Sequence, residues 1–148
     1  MVRYIYVDLT QHDYRELAEF RYQLRQFLHF SEIRARELGI EPHQHQALLA
    51  LKGLPAGSQP TIGELAHRLA LRHHTTVELV DRLETAGFVK RQADPDDGRQ
   101  ILLQLTPQGT AKLRSLSLAH RDELRVKGPE LAKALRAILR GSGESNAA

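Results

Sequence analysis

Seven residues between positions 72 and 82 carry the side chains best suited to chemistry in this chain: Arg72, His73, His74, Thr75, Thr76, Glu78 and Arg82. They contain no nucleophile with its base and no spaced set of metal ligands. What they offer is a dense row of hydrogen-bond donors and acceptors, the chemistry that reads base edges and phosphates. Threonine bonds a phosphate or a base edge and gives its methyl to thymine. Neutral histidine donates or accepts, and glutamate accepts from a cytosine amino group. A polar outer face is also what any surface helix needs, so the surroundings must decide. A second group follows in Lys90, Arg91, Asp97 and Arg99.

The elements that would position both groups are legible. Thr61-Ile62-Gly63-Glu64 fits a capping box, in which the threonine oxygen takes an amide and the glutamate reaches back. Ile62, Leu65, Ala66 and Leu69 recur at helical spacing, and this helix should run out near Ala70-Leu71. A second helix starts around His73, with Val77, Leu79, Val80 and Leu83 inside and His74, Thr75, Glu78 and Arg82 outside. Gly87 suits the left-handed residue that ends it. From Phe88 the period becomes 2. Phe88–Ala93 and Gln100–Leu105 flank the turn formers Asp94-Pro95-Asp96-Asp97-Gly98, which predicts a β-hairpin. Two short helices joined by a tight turn and followed by a basic hairpin read as a winged helix-turn-helix. One helix would enter the major groove, and the hairpin would reach phosphate or the minor groove.

The ordered motifs Glu64-Leu65-Ala66…Leu69, Leu79-Val80-Asp81-Arg82-Leu83-Glu84…Gly87, Asp97-Gly98-Arg99 and Leu105-Thr106…Gly109 resemble the MarR family of transcriptional regulators. That resemblance implies a homodimeric, ligand-responsive regulator, most often a repressor, on a near-palindromic operator in double-stranded DNA. It places Arg99 in the minor groove with Asp97 orienting it, and Arg82 near the DNA, although an ion pair within the chain suits Arg82 nearly as well. Gly98 departs from the basic residue many relatives carry there, which eases the turn and removes one phosphate contact. The family layout also implies a cleft for a small aromatic or anionic effector, with Arg21, Arg25, His29, His43 and His45 as candidates; Arg21, Arg25 and His43 can pair with a carboxylate.

The rest of the chain supplies a mainly α framework. A helical pattern runs over residues 11–38 through Tyr14, Leu17, Phe20, Leu24, Phe27, Leu28 and Ile33 to Gly39. Glu41-Pro42 opens another helix with Ala47, Leu48 and Leu51 inside. Thr106 caps and Pro107 starts a helix bearing Leu113, Leu116, Ala119 or Leu118, and Leu124, which Gly128-Pro129 should break. A last helix over 130–140 carries Leu131, Leu135, Ile138 and Leu139. The expected layout is one domain over 1–148, with 41–106 binding DNA and the terminal helices (11–38 and 107–140) dimerising, because these hold more apolar surface than one winged unit can bury. Met1–Thr10 reads as an arm in which Tyr4, Ile5 and Tyr6 can pack on a partner, and GSGESNAA as a frayed tail.

Composition narrows the alternatives. With no cysteine there is neither disulfide nor thiol sensing. A net charge of +3 decides nothing, but Arg68, Arg72, Lys90, Arg91 and Arg99 cluster toward the groove-facing side. No signal peptide or bilayer-length apolar run is visible, which predicts a cytoplasmic protein without a membrane partner. The eight histidines raise a metal-responsive reading. His43 and His45 stand about 200° apart on a helix and cannot share a face, so no metal or cofactor is expected. No catalytic fingerprint appears, which argues against an enzyme. A winged module that binds protein and not DNA remains the main rival, separable by the salt dependence of DNA binding.

Overall fold

The computed structural model describes residues 8–141. Tyr4, Ile5 and Tyr6 of the expected arm, and the tail beyond Gly141, lie outside the described residues. The elements are α1 (Gln11–Glu37), α2 (Pro42–Lys52), α3 (Ile62–Leu69), α4 (His73–Thr85), β1 (Val89–Ala93), β2 (Ile101–Leu105) and α5 (Pro107–Arg140). They divide into two compact units, 32–119 and 1–31 with 120–148.

The central unit holds the core. Leu48, Leu65, Val80, Leu83 and Leu116 are fully or almost fully buried, joined by Ala35, Ile40, Ala47, Leu51, Leu79, Val89, Leu103 and Leu113. The stripe read from α4 is correct at Leu79, Val80 and Leu83, and that of α2 at Ala47, Leu48 and Leu51. Lys112 Nζ donates to the Leu38 carbonyl at 2.6 Å, tying α5 to the turn after α1.

Three junctions position the recognition elements. Thr61 Oγ1 accepts from the Glu64 amide at 3.1 Å, so α3 is capped as expected. Glu64 does not complete the box: its carboxylate pairs with Arg68 at 3.0 Å, one helical turn on. The chain then leaves α3 through Ala70, a non-glycine residue at φ 53°. A Cβ is unfavourable there, so Ala70→Gly is expected to stabilise by about 0.5 kcal/mol once glycine's greater unfolded freedom is subtracted. A thermal melt checks this; a lower melting temperature would contradict it. At the end of α4, Gly87 (φ 81°) adopts the predicted left-handed conformation, and the Phe88 amide donates to the Leu83 carbonyl at 2.9 Å.

The hairpin pairs antiparallel from Val89 opposite Leu105 to Ala93 opposite Ile101. The Leu103 amide adds a 2.7 Å bond to the Pro60 carbonyl, fixing the loop before α3 to the sheet edge. Thr106 joins wing to helix. Its amide donates to Phe88 O at 3.0 Å, its hydroxyl donates to Gly87 O, and its Oγ1 accepts from Gly109 N at 3.0 Å, capping α5.

The other unit is built from the outer parts of α1 and α5. Thr10 and Asp13 cap α1 reciprocally, a box that the sequence reading missed: Asp13 Oδ2 accepts from Thr10 N at 2.8 Å and Thr10 Oγ1 from Asp13 N at 3.2 Å. Phe27 and Phe30 meet the His120 ring edge-on at 5.9 and 5.5 Å, and His120 Nε2 lies 2.7 Å from Ser31 Oγ. The predicted break at Gly128-Pro129 does not occur; α5 runs through Pro129. Proline's fixed φ is itself helical, so its damage is confined to the carbonyl four residues earlier. Arg125 is exposed, so water can satisfy that carbonyl. Among the described residues of this unit only Ala134 is buried, while Leu9, Tyr14, Leu17, Tyr22, Leu28, Leu124, Val126, Leu135 and Leu139 are exposed.

Candidate nucleic-acid interface

The start of α4 presents the expected polar row, with one correction. Arg72 occupies the N-cap position, and it is exposed together with His73, His74, Glu78 and Arg82. Thr75 is half-buried and lines a small cleft of about 90 Å³ with His43, Leu71, Glu78, Leu79 and Arg82. Thr76 is not part of this surface. It is 0% exposed, and its hydroxyl donates to the Arg72 carbonyl at 2.9 Å. The reason is periodicity: positions 76, 79, 80 and 83 share one face of a helix, and that face is the core. Thr76→Val should therefore cost no more than about 1 kcal/mol of stability and leave DNA affinity unchanged. Thr75→Val should weaken DNA binding with stability kept. Paired melts and duplex titrations check this, and a loss of DNA affinity in Thr76→Val would contradict it.

The five cations read as groove-facing separate into distinct roles. Arg68 is engaged by Glu64. Arg91 is a clamp and not a free phosphate ligand: its guanidinium lies 2.6 Å from Asp81 and 2.9 Å from Glu84, both on α4. The Asp81 hydrogen bond, with the charge of Glu84, raises its pKa above the ordinary arginine value. A raised cation pKa means stabilisation that is present throughout the working pH range and lost only above that value, so Arg91 holds the wing to α4 without a pH switch. Lys90 is exposed, but directly opposed residues share a face and neighbours along a strand alternate. Lys90 with Gln104 therefore faces away from the side on which Arg91 meets α4. Arg72 and Arg99 remain, joined by Arg82, which has no carboxylate within 4.0 Å among the described residues.

At the tip, acidic side chains shape the turn. Asp94 is buried and its Oδ1 accepts from the Asp96 amide at 2.9 Å. Asp97 Oδ1 accepts from the Arg99 amide at 3.1 Å and stands 3.9 Å from Arg99 Nε. The Arg99 side chain is 98% exposed. A solvent-exposed cation on a braced turn, held by no side-chain hydrogen bond to Asp97, can enter a groove at little cost within the protein.

Residues 38–100 match the model of the MarR family. Over 97 residues the chain is 30% identical to the uncharacterised HTH-type transcriptional regulator Mb0904 of Mycobacterium bovis, covering 66% of this chain and 68% of that protein. This chain belongs to the MarR family. Its fold agrees with AbsC, a MarR family transcriptional regulator from Streptomyces coelicolor, at a TM-score of 0.69 and 21% identity over 90% of this chain and 96% of that one. It agrees with a mutant of MarR from E. coli, solved in complex with operator DNA, at a TM-score of 0.64 and 21% identity over 90% and 97%. As a MarR family member the chain is a DNA-binding transcriptional regulator on a winged helix-turn-helix.

The effector candidates fall in both units, Arg21, Arg25 and His29 in the outer one and His43 and His45 in the central one. Arg21, Arg25 and His29 are exposed on α1, and His43 is exposed on α2. His45 is 4% exposed, the consequence of its half-turn offset from His43, so it cannot face an open cleft. The sequence reading missed the Arg91 clamp. Its signal was present: Asp81 and Glu84 are three apart, on one side of α4, beside a strand with a basic residue.

Proposed function

We propose that the chain is a homodimeric, ligand-responsive repressor that sets α4 of each protomer into successive major grooves of a near-palindromic operator. The observation that carries this is the exposed row Arg72, His73, His74 and Glu78, flanked by Arg82, which has no ion pair among the described residues, and by the fully exposed Arg99. The cations supply phosphate and minor-groove attraction, and the polar groups supply base-edge bonds. Nine exposed large apolar residues among the described residues of the outer-helix unit support the dimer, since a face of that kind requires cover. Twofold symmetry then sets the recognition helices roughly 34–36 Å apart. Arg21 and Arg25, one helical turn apart on α1, suit the carboxylate of a small aromatic effector. Such a ligand acts by binding better to a dimer whose helix spacing misfits the operator. A cytoplasmic site of action completes the reading.

The test is a titration of labelled duplex, from DNA upstream of the encoding gene, at several salt concentrations, with sedimentation of the free protein. A dimer whose affinity falls steeply with salt supports the reading. A monomer that retains no duplex at low salt would leave the winged module as a protein-binding unit.

A further inference from the structure

We propose that a second groove, at the base of the wing, binds an acidic protein segment bearing apolar side chains while the recognition helix holds DNA. Lys52 at the end of α2, Lys90 on β1, Leu105 at the end of β2, and Pro107, Ala111 and Arg114 on α5 line a cavity of about 860 Å³. Among the described residues no carboxylate lines it. Lys52, Lys90 and Arg114 have no ion-pair partner among the described residues, unlike Arg68 and Arg91. Three uncompensated cations around one cavity attract negative charge, and the first turn of α5 adds the positive end of a long helix.

The groove is separate from the DNA-reading face. Lys90 and Gln104 form one rung of the ladder, and Arg91 and Leu103 the next, on the other face. Arg91 is bound to Asp81 and Glu84 of α4, so Lys90 is turned from the recognition helix. Lys90 also lies in the second rung from the base, whereas Arg99 sits beyond the last rung at the tip. A duplex held by α4 and Arg99 leaves this groove open. The lining decides the class of partner. Leu105, Pro107 and Ala111 line it beside the cations and give it an apolar surface. A phosphate backbone has nothing to place on that surface. A peptide alternating Asp or Glu with Leu fills both.

The experiment uses the full chain at low salt and a fluorescein-labelled peptide of alternating Glu and Leu, followed by anisotropy. Comparison peptides replace Leu by Ser, or Glu by Lys. The Glu/Leu peptide is expected to bind, the Ser peptide about tenfold more weakly, and the Lys peptide not at all. The double variant Lys52→Gln with Arg114→Gln should abolish peptide binding and leave the duplex titration unchanged. Lys127→Glu, a charge change elsewhere on α5, should leave both unchanged. Excess unlabelled duplex should not displace the peptide from wild type, a readout that stands even where the double variant melts early. Peptide displacement by duplex, or an equal loss of duplex binding in the double variant, would make the groove part of the DNA surface and overturn the proposal. Equal binding of the Ser peptide, with displacement by inorganic phosphate, would reduce it to an anion site and overturn it too.

Discussion

Replacing Gly109 by alanine is expected to destabilise the central unit by about 3 kcal/mol, a fall of roughly 10 °C in melting temperature. A Cβ built on Gly109 would stand 2.1 Å from the Phe88 carbonyl oxygen and 2.9 Å from its carbon. Neither atom belongs to a side chain that can turn aside. The same carbonyl accepts from Thr106 N, and Thr106 caps α5 through Gly109 N. An added methyl therefore pushes α5 from the wing at the point where the two share their bonds. Gly98→Ala is the control: nothing lies within 4 Å of its Cβ position, and it should stay within about 0.5 kcal/mol of wild type. Equal melting temperatures for the two variants would show that the close approach of α5 to Phe88 is wrong.

Arg99→Ala should weaken operator binding by about 1–3 kcal/mol, tenfold or more, with stability unchanged. Its side chain is 98% exposed and contributes no packing, so the loss must come from the DNA. The 3.9 Å approach to Asp97 is too long for a hydrogen bond, so little is lost within the protein when the guanidinium goes. The slope of affinity against salt should also fall by about one unit. Operator titrations at three salt concentrations measure both quantities. Unchanged affinity and slope would remove Arg99 from the interface.

The features legible in the sequence were those written into local chemistry. Alternation gave the hairpin, Gly87 the end of α4, Thr106-Pro107 the start of α5, and apolar spacing the inner faces of α2 and α4. The errors have a common origin in tertiary context. Residue type alone puts Thr76 with Thr75 on the DNA side, and only burial shows that it belongs with Leu79 and Val80. Arg91 and Lys90 are adjacent cations, and pairing register alone separates the clamp from the outward face. Pro129 reads as a break locally, yet a long helix on an exposed turn carries it through. Glu64 chose Arg68 over the cap because a charge one turn ahead was available.

Protection of the upstream DNA from hydroxyl radicals, with the full chain bound, decides whether two copies of α4 read one operator. Two equivalent protected patches are expected, with centres about 10 base pairs apart or a multiple of that spacing. Each should be bordered by a protected minor groove that becomes accessible again in Arg99→Ala. One asymmetric patch, or uniform accessibility at low salt, would contradict it.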